Sequence, residues 1–417
     1  MQPTKIAVLN ASAKNKPREH VVLLGGGLNL AASALEISDG ECVQLNNYEI
    51  NTQGDYQSVA GLERRDGQPA PSEATAPNGP YIDDEAELAD LIAERESRRL
   101  AIQPVPGAGP VRGVFYFDDR LYAFRDTLDG SACKLYGESL TGWVEITTPN
   151  LSPAGNYKFR VLHFPDRPGK EIVGVDGENP GFLFDGTTFT QINNTGMGPD
   201  DKPIALEVLP SDILLFGYRG GSLQYSALGD PTDWDVANGA GEIRVVDEIQ
   251  EIDLQAQDAC AVFCRNRTYI LYGRVESQFE LKNLNTNTGA VKGTVRTIGD
   301  SIYLDDRGLT RLSRVQSFGN FDMTTMSGKV NSFLDERRGR VTSSVVIREK
   351  NQYRLFFDDG SGLICTFYGD KPLGFSTFDL GAERYAYCTC NAETNMGDEV
   401  VFFGGSDGYV YQMERGT

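Results

Sequence analysis

Histidine and tryptophan are almost missing from this 417-residue chain, which has two of each. His20 and His163 leave little from which to build a histidine-ligated metal site or a catalytic triad. Cysteine is sparse and odd in number, seven in all. Its only close pairs, Cys260 with Cys264 and Cys388 with Cys390, have no histidine or second pair beside them, as a zinc site would need. The cysteines therefore read as free thiols made in a reducing compartment, with Cys388 and Cys390 on one face of a strand. No apolar run reaches about 18 residues, which excludes a helical membrane span. Val21 to Leu24, preceded by Lys14, Lys16 and Arg18, imitates an export signal, but Gly25, Gly26 and Gly27 break it after four residues. Basic charge is also short: 39 Lys and Arg against 59 Asp and Glu give −20. That balance excludes a protein that grips a phosphate backbone with its whole surface, and it suits one past which DNA must slide.

What is abundant is turn chemistry, with 46 Gly and 19 Pro, and this favours many short elements over a helical bundle. Residues 1–23 form a basic arm, in which Lys14, Lys16 and Arg18 are candidate interface residues against an acidic body. Residues 24–110 read as a wrapping, extended segment followed by one platform helix from about Asp83 to Leu100. Acids open that helix, and Arg95, Arg98 and Arg99 close it, in keeping with the helix dipole. Leu88, Leu91, Ile92 and Arg95 fall at i, i+3, i+4 and i+7, which gives one narrow apolar face. The three arginines are the second set of candidate interface residues.

From residue 111 to 417 the chain becomes a succession of alternating runs joined by tight turns. Taking turn centres at 119, 177, 220, 266, 306, 359 and 407, the mean spacing is 48 residues. A four-stranded propeller blade needs about 40–50 residues, so the spacing predicts a mainly β fold with a β-propeller of six or seven blades. A sandwich or two stacked all-β domains is the alternative. Too few residues follow Met413 for another strand, so the last blade must take its outer strand from the N-terminal region or expose an edge. A short helix near Val330, Phe333, Leu334 and Arg337 reads as a surface insertion.

Catalytic signals are poor. The Asp118–Asp119, Asp305–Asp306 and Asp358–Asp359 pairs sit in hairpin turns, where Asp bonds its own backbone. Gly25 to Gly27 lacks the following Lys and helix of a phosphate loop, and no nucleophile elbow or calcium loop is present. No catalytic, cofactor or metal residues are assigned. Trp234, in a Pro-Thr-Asp-Trp turn, reads as a loop anchor.

Several stretches resemble one family. They are Leu24 to Leu30, Cys42 with Asn47 to Glu49, Gly61 to Ser72, Arg98–Arg99 with Pro104 to Val114, Tyr122 to Asp126, Gly229 to Asp235, and Asn351 to Gly360. Together they resemble the tail nozzle (hub), or packaged-DNA stabilisation, proteins of short-tailed bacteriophages, over most of residues 24–380. The resemblance implies a structural virion protein and no enzyme. It would be one subunit of a ring, usually six copies, seated below the tail adaptor and forming the lower DNA channel. Implied partners are the chain itself, the adaptor, tail fibres or spikes, and double-stranded DNA passing without specific binding. The implied location is the virion tail, after assembly in the host cytoplasm. Propellers of that family have six blades, whereas seven hairpins are counted here. The rival reading is a soluble propeller that binds or hydrolyses glycans at its axis, and a third is a scaffold for partner proteins in a cell.

Overall fold

Alternating strands that each bury one face must stack on further sheets, and a ring of sheets gives every sheet two neighbours. In the computed structural model this is the outcome. The described residues are all except 1–5, 9–17, 21–24, 76–84, 194–201, 286, 316–319, 370, 382–383 and 416–417; of 6–8, 18–20, 314–315 and 320–322 only the backbone is described.

Seven antiparallel four-stranded sheets follow one another, the first six running from the axis outward in chain order and the seventh doing so for its first three strands. Their innermost strands are Ala108–Phe117, Lys158–Leu162, Pro203–Leu209, Ile249–Ala256, Arg296–Ile298, Val341–Ile347 and Ala386–Glu393, in blades 1 to 7. The fold is a seven-bladed β-propeller, so every counted hairpin belongs to a blade. Six of the seven turns join the second and third strands of blades 2 to 7. The turn at Asp118–Asp119 instead joins the first two strands of blade 1. The equivalent turn of blade 1 lies between Asp126 and Cys133, near Asp129, which brings the spacing to the next turn close to the mean.

Blade 7 has three strands from the C-terminal end, and its fourth is Leu62–Arg65, antiparallel to Val410–Met413. The missing outer strand thus comes from just beyond residue 60, out of the segment assigned on sequence to the platform. Arg65 Nε reaches Glu138 of blade 1 at 2.9 Å, so the closing strand ties the last blade to the first. This joins chain ends far apart in sequence and removes an exposed edge.

Large side chains fill the wedges between blades. Between blades 1 and 2, Phe124 stacks on Tyr157 with ring centroids 3.9 Å apart, and Phe115 lies 4.8 Å from Phe159. Gly113 lets these inner strands converge: a Cβ there would stand 2.4 Å from Tyr157 Cβ. Trp234 is buried on Phe216 at 4.9 Å, with its Nε1 donating to the Pro231 carbonyl, as an anchor should. The helix between blades 5 and 6, α2 (Asn331–Arg337), departs from the expected surface insertion. Val330 and Leu334 are fully buried with Leu309, Leu355 and Phe357, because the helix plugs the wedge between the two sheets.

Residues 25–59 wrap blade 6. Thr377 accepts Asn47 N–H and donates to the Leu45 carbonyl, and Glu49 is buried against Lys350, Gln352 and Arg354. The platform helix is α1 (Glu85–Ala101). Asp83 and Asp84, expected to open it, lie outside the described residues. All seven cysteines are free thiols. Among the described residues no helix is long and apolar enough to cross a membrane.

Candidate functional site

The two sets of candidate interface residues end in different places. Lys14 and Lys16 lie outside the described residues. Of Arg18 only the backbone is described, in the strand Arg18–His20 paired with Ile6–Val8. Arg95, Arg98 and Arg99 lie on α1. Arg98 Nε donates to Glu94 at 2.8 Å and its Nη1 to the Ala70 carbonyl. Arg99 makes a two-pronged contact with Glu96, and Arg95 is exposed.

What distinguishes α1 is how little it buries. Leu91 is its one buried residue, while Leu88, Ile92 and Leu100 are 45%, 57% and 63% exposed. The sequence period forms the helix, but the apolar stripe it creates is mostly uncovered. Exposed Glu–Arg pairs one turn apart add only tenths of a kcal/mol, and an isolated helix of this length is marginal in water.

The second feature is an axial cavity of about 1020 Å³. A ligand pocket at the axis was part of the rival sequence reading, but none of its lining residues was assigned. Side chains on the inner strands point alternately to the two faces of each blade, and those nearest the axis carry charge. Lys158 Nζ stands 2.7 Å from Glu251 Oε2 and donates to the Gln250 carbonyl. Arg160 Nε meets both oxygens of Glu207, at 3.1 and 3.2 Å. Asp253 has no cationic partner among the described residues; it accepts from Thr297 Oγ1, Gln255 Nε2 and Ser301 Oγ. Arg296 Nε donates to the Ser344 carbonyl at 2.9 Å and its Nη1 to its own Val295 carbonyl. Lys292 lines the same cavity, and no described group pairs with it.

Electrostatics follow from these pairings. The Glu207 carboxylate holds the Arg160 guanidinium protonated, above its ordinary value, against the cost of burial. Burial lowers the basicity of Lys158, and Glu251 offsets only part of this. Burial likewise lowers that of Arg296, and the nearby Glu251 and Asp253 carboxylates offset only part of this. Cys388 and Cys390, on the blade 7 wall, are pushed up to about 12 by burial and stay thiols. The sequence signal for this cluster was present: Lys158 and Arg160, and Glu251 and Asp253, are charges two residues apart in strands where they alternate with apolar residues. Such a pattern puts both charges on one face of a strand.

The aspartate pairs behave as turn residues. Asp305 accepts the backbone N–H groups of Arg307 and Gly308, and Asp359 accepts that of Ser361. Asp118 and Asp119 adopt positive φ in their hairpin. Among the described residues no group of three His, Cys, Asp or Glu is placed to hold a metal ion.

No protein-family model matches the chain. No curated protein matches its sequence. A solved structure titled "Streptogramin B lyase structure" is 12% identical, with a TM-score of 0.49, over 75% of this chain and 95% of that one. That likeness carries no argument about activity, and the propeller is read here from its own sheet order.

Proposed function

We propose that the chain is a structural subunit of a phage tail nozzle, a ring below the portal and its adaptor that forms the lower part of the DNA ejection channel and helps retain the packaged DNA. The observation that carries this reading is α1, a 17-residue helix that buries one side chain in the single chain. A neighbouring subunit or the adaptor would cover Leu88, Ile92 and Leu100, and the order of a helix otherwise marginal would come from that contact. The sequence resemblance to nozzle proteins supports the same role, in which shape and charge supply the activity. Six copies at −20 each would surround the channel with acid. DNA would then be repelled from the wall and leave without being trapped.

The test is assembly of the full chain, followed by mass photometry and electron microscopy, alone and with a short-tailed phage adaptor. Rings are expected, and Ile92→Asp should abolish them while leaving the thermal midpoint of the propeller in place. A chain that stays monomeric in both settings, or rings unaffected by Ile92→Asp and Leu88→Asp, would overturn the reading. If rings form, replacing acids of their lumen with Lys should slow DNA ejection.

A further inference from the structure

Two exposed surfaces of the chain have matched chemistry. The first is the flank of α1 on which Leu88, Ile92 and Arg95 fall at i, i+4 and i+7. All three are exposed, and Arg95, unlike Arg98 and Arg99, forms no ion pair among the described residues. The flank therefore offers two apolar side chains beside one guanidinium.

The second is the loop of residues 226–240, which joins the last two strands of blade 3, Ser222–Tyr225 and Gly241–Arg244. Its backbone is pinned: Ala227 N–H donates to the Asp233 carbonyl and Gly229 N–H to the Asp212 carbonyl, each at 2.8 Å, and buried Trp234 anchors its middle. Held in this way, the loop presents Leu228 and Val236 to solvent, 63% and 76% exposed. Between them in sequence stand Asp230, Asp233 and Asp235, whose carboxylates accept from Thr232, Asn238 and nearby backbone N–H groups and form no ion pair with a described cation. A loop already fixed in place gives up little freedom when something docks on it.

An apolar pair beside a cation and an apolar pair beside acids are complementary. Within one chain the two surfaces do not meet, since both are exposed. The C-terminal end of α1 is tied to the rim of blades 7 and 1, where Gln68 Nε2 donates to the Ala101 carbonyl and Trp143 Nε1 to the Gln103 carbonyl, whereas the loop belongs to blade 3. A contact between copies that joins two different surfaces is heterologous. Each copy then turns α1 to one neighbour and its loop to the other, and this is the kind of contact that closes into a ring.

We infer that α1 docks on the blade 3 loop of a second copy, with Leu88 and Ile92 packing on Leu228 and Val236 and with Arg95 facing Asp230, Asp233 and Asp235. The inference rests on the ring reading above and names the surface that meets α1.

The experiment disables one surface of the full chain at a time. Ile92→Asp removes the helix side and Val236→Asp the loop side, each at an exposed position, so the thermal midpoint should hold. In sedimentation velocity each variant alone should be monomeric, its self-association weakened by about tenfold or more. Mixed in equal amounts, the two should form pairs and nothing larger, because the intact loop of one takes the intact α1 of the other. Leu88→Asp and Leu228→Asp should behave as a second such couple. Arg95→Glu should weaken assembly severalfold and Arg95→Lys much less. Rings undisturbed by Val236→Asp and Leu228→Asp, a mixture that stays monomeric, or a wild-type chain that assembles only with the adaptor overturns this contact and leaves the nozzle reading standing. A wild-type chain that stays monomeric with and without the adaptor overturns both.

Discussion

Glu49→Ala removes the centre of the contact between the wrapping segment and blade 6. Glu49 is fully buried, and its carboxylate accepts from Arg354 Nη2 at 2.8 Å, Gln57 Nε2 at 2.7 Å, Gln352 Nε2 at 3.2 Å and the Lys350 ammonium. Lys350 and Arg354 also reach Glu414, just beyond the last strand of blade 7. The substitution therefore leaves the Arg354 side chain, 3% exposed, with Glu414 as its remaining carboxylate. Removing one partner of a buried pair costs about 3–5 kcal/mol, and Glu414 keeps the loss toward the lower end, about 3 kcal/mol. At about 2.1 cal/mol/K per residue, a chain of this length unfolding as one unit has an entropy of about 0.9 kcal/mol/K, so the thermal midpoint falls only about 3 °C. Denaturant titration is the more sensitive assay, and Glu49→Gln, which keeps the shape and loses the charge, should fall between wild type and alanine.

Acid supplies an internal check. Burial alone would raise the Glu49 carboxyl, but Arg354 and Lys350 outweigh it and hold it below the ordinary value of 4.5. Glu41, in the same segment, is held down at about 2 by Lys329, Asn29 and the Ser38 amide. Folded values below the unfolded one mean that these contributions are full above about pH 4.5 and are lost as pH falls through the folded values. The gap in stability between wild type and Glu49→Ala should therefore close below pH 4.5. A gap that stays constant through that window, or a Glu49→Ala chain as stable as wild type at pH 7, would refute the account of Glu49 as a charged anchor.

Removing residues 1–66 takes away the fourth strand of blade 7 and exposes Val410–Met413 as an edge. Size-exclusion chromatography should show aggregation, and a peptide spanning residues 58–68 should reduce it; a truncated chain with wild-type stability and solubility would show that Leu62–Arg65 does not close the ring. Native thiol titration should give one fast equivalent, from half-buried Cys42; Cys390 is half-buried too, but its thiol, like those of Cys133, Cys264 and Cys388, is pushed up to about 12, and Cys260 and Cys365 are pushed well above their ordinary value. Cys42→Ser should abolish that phase, all seven thiols should react in denaturant, and several fast equivalents in the native chain would contradict the burial.

The blades were legible because each needs a reversal between its second and third strands, and reversals demand Asp and Gly whatever packs around them. Gly177, Gly221 and Gly408 have the positive φ that such turns require. In blade 1 the pair at Asp118–Asp119 resembles those turns but reverses the chain one strand earlier, so local chemistry alone could not assign its place in the sheet. The closing strand was foreseen as a need and not as a position, since Leu62–Arg65 carries Glu63, Arg64 and Arg65 and lacks the apolar alternation of an inner strand. Its face is set by partners far along the chain: Arg65 meets Glu138, and Arg64 lies over the Tyr409 ring at 3.9 Å. The axial charges were hidden for the same reason. Lys158 and Glu251 are far apart in sequence and meet only because closure sets blades 2 and 4 around one axis, so their chemistry belongs to the ring and not to any single blade. The converse holds for α1: its period was plain in the sequence, yet among the described residues only Leu91 of its apolar stripe is buried, so a helical period does not by itself say what its face packs against.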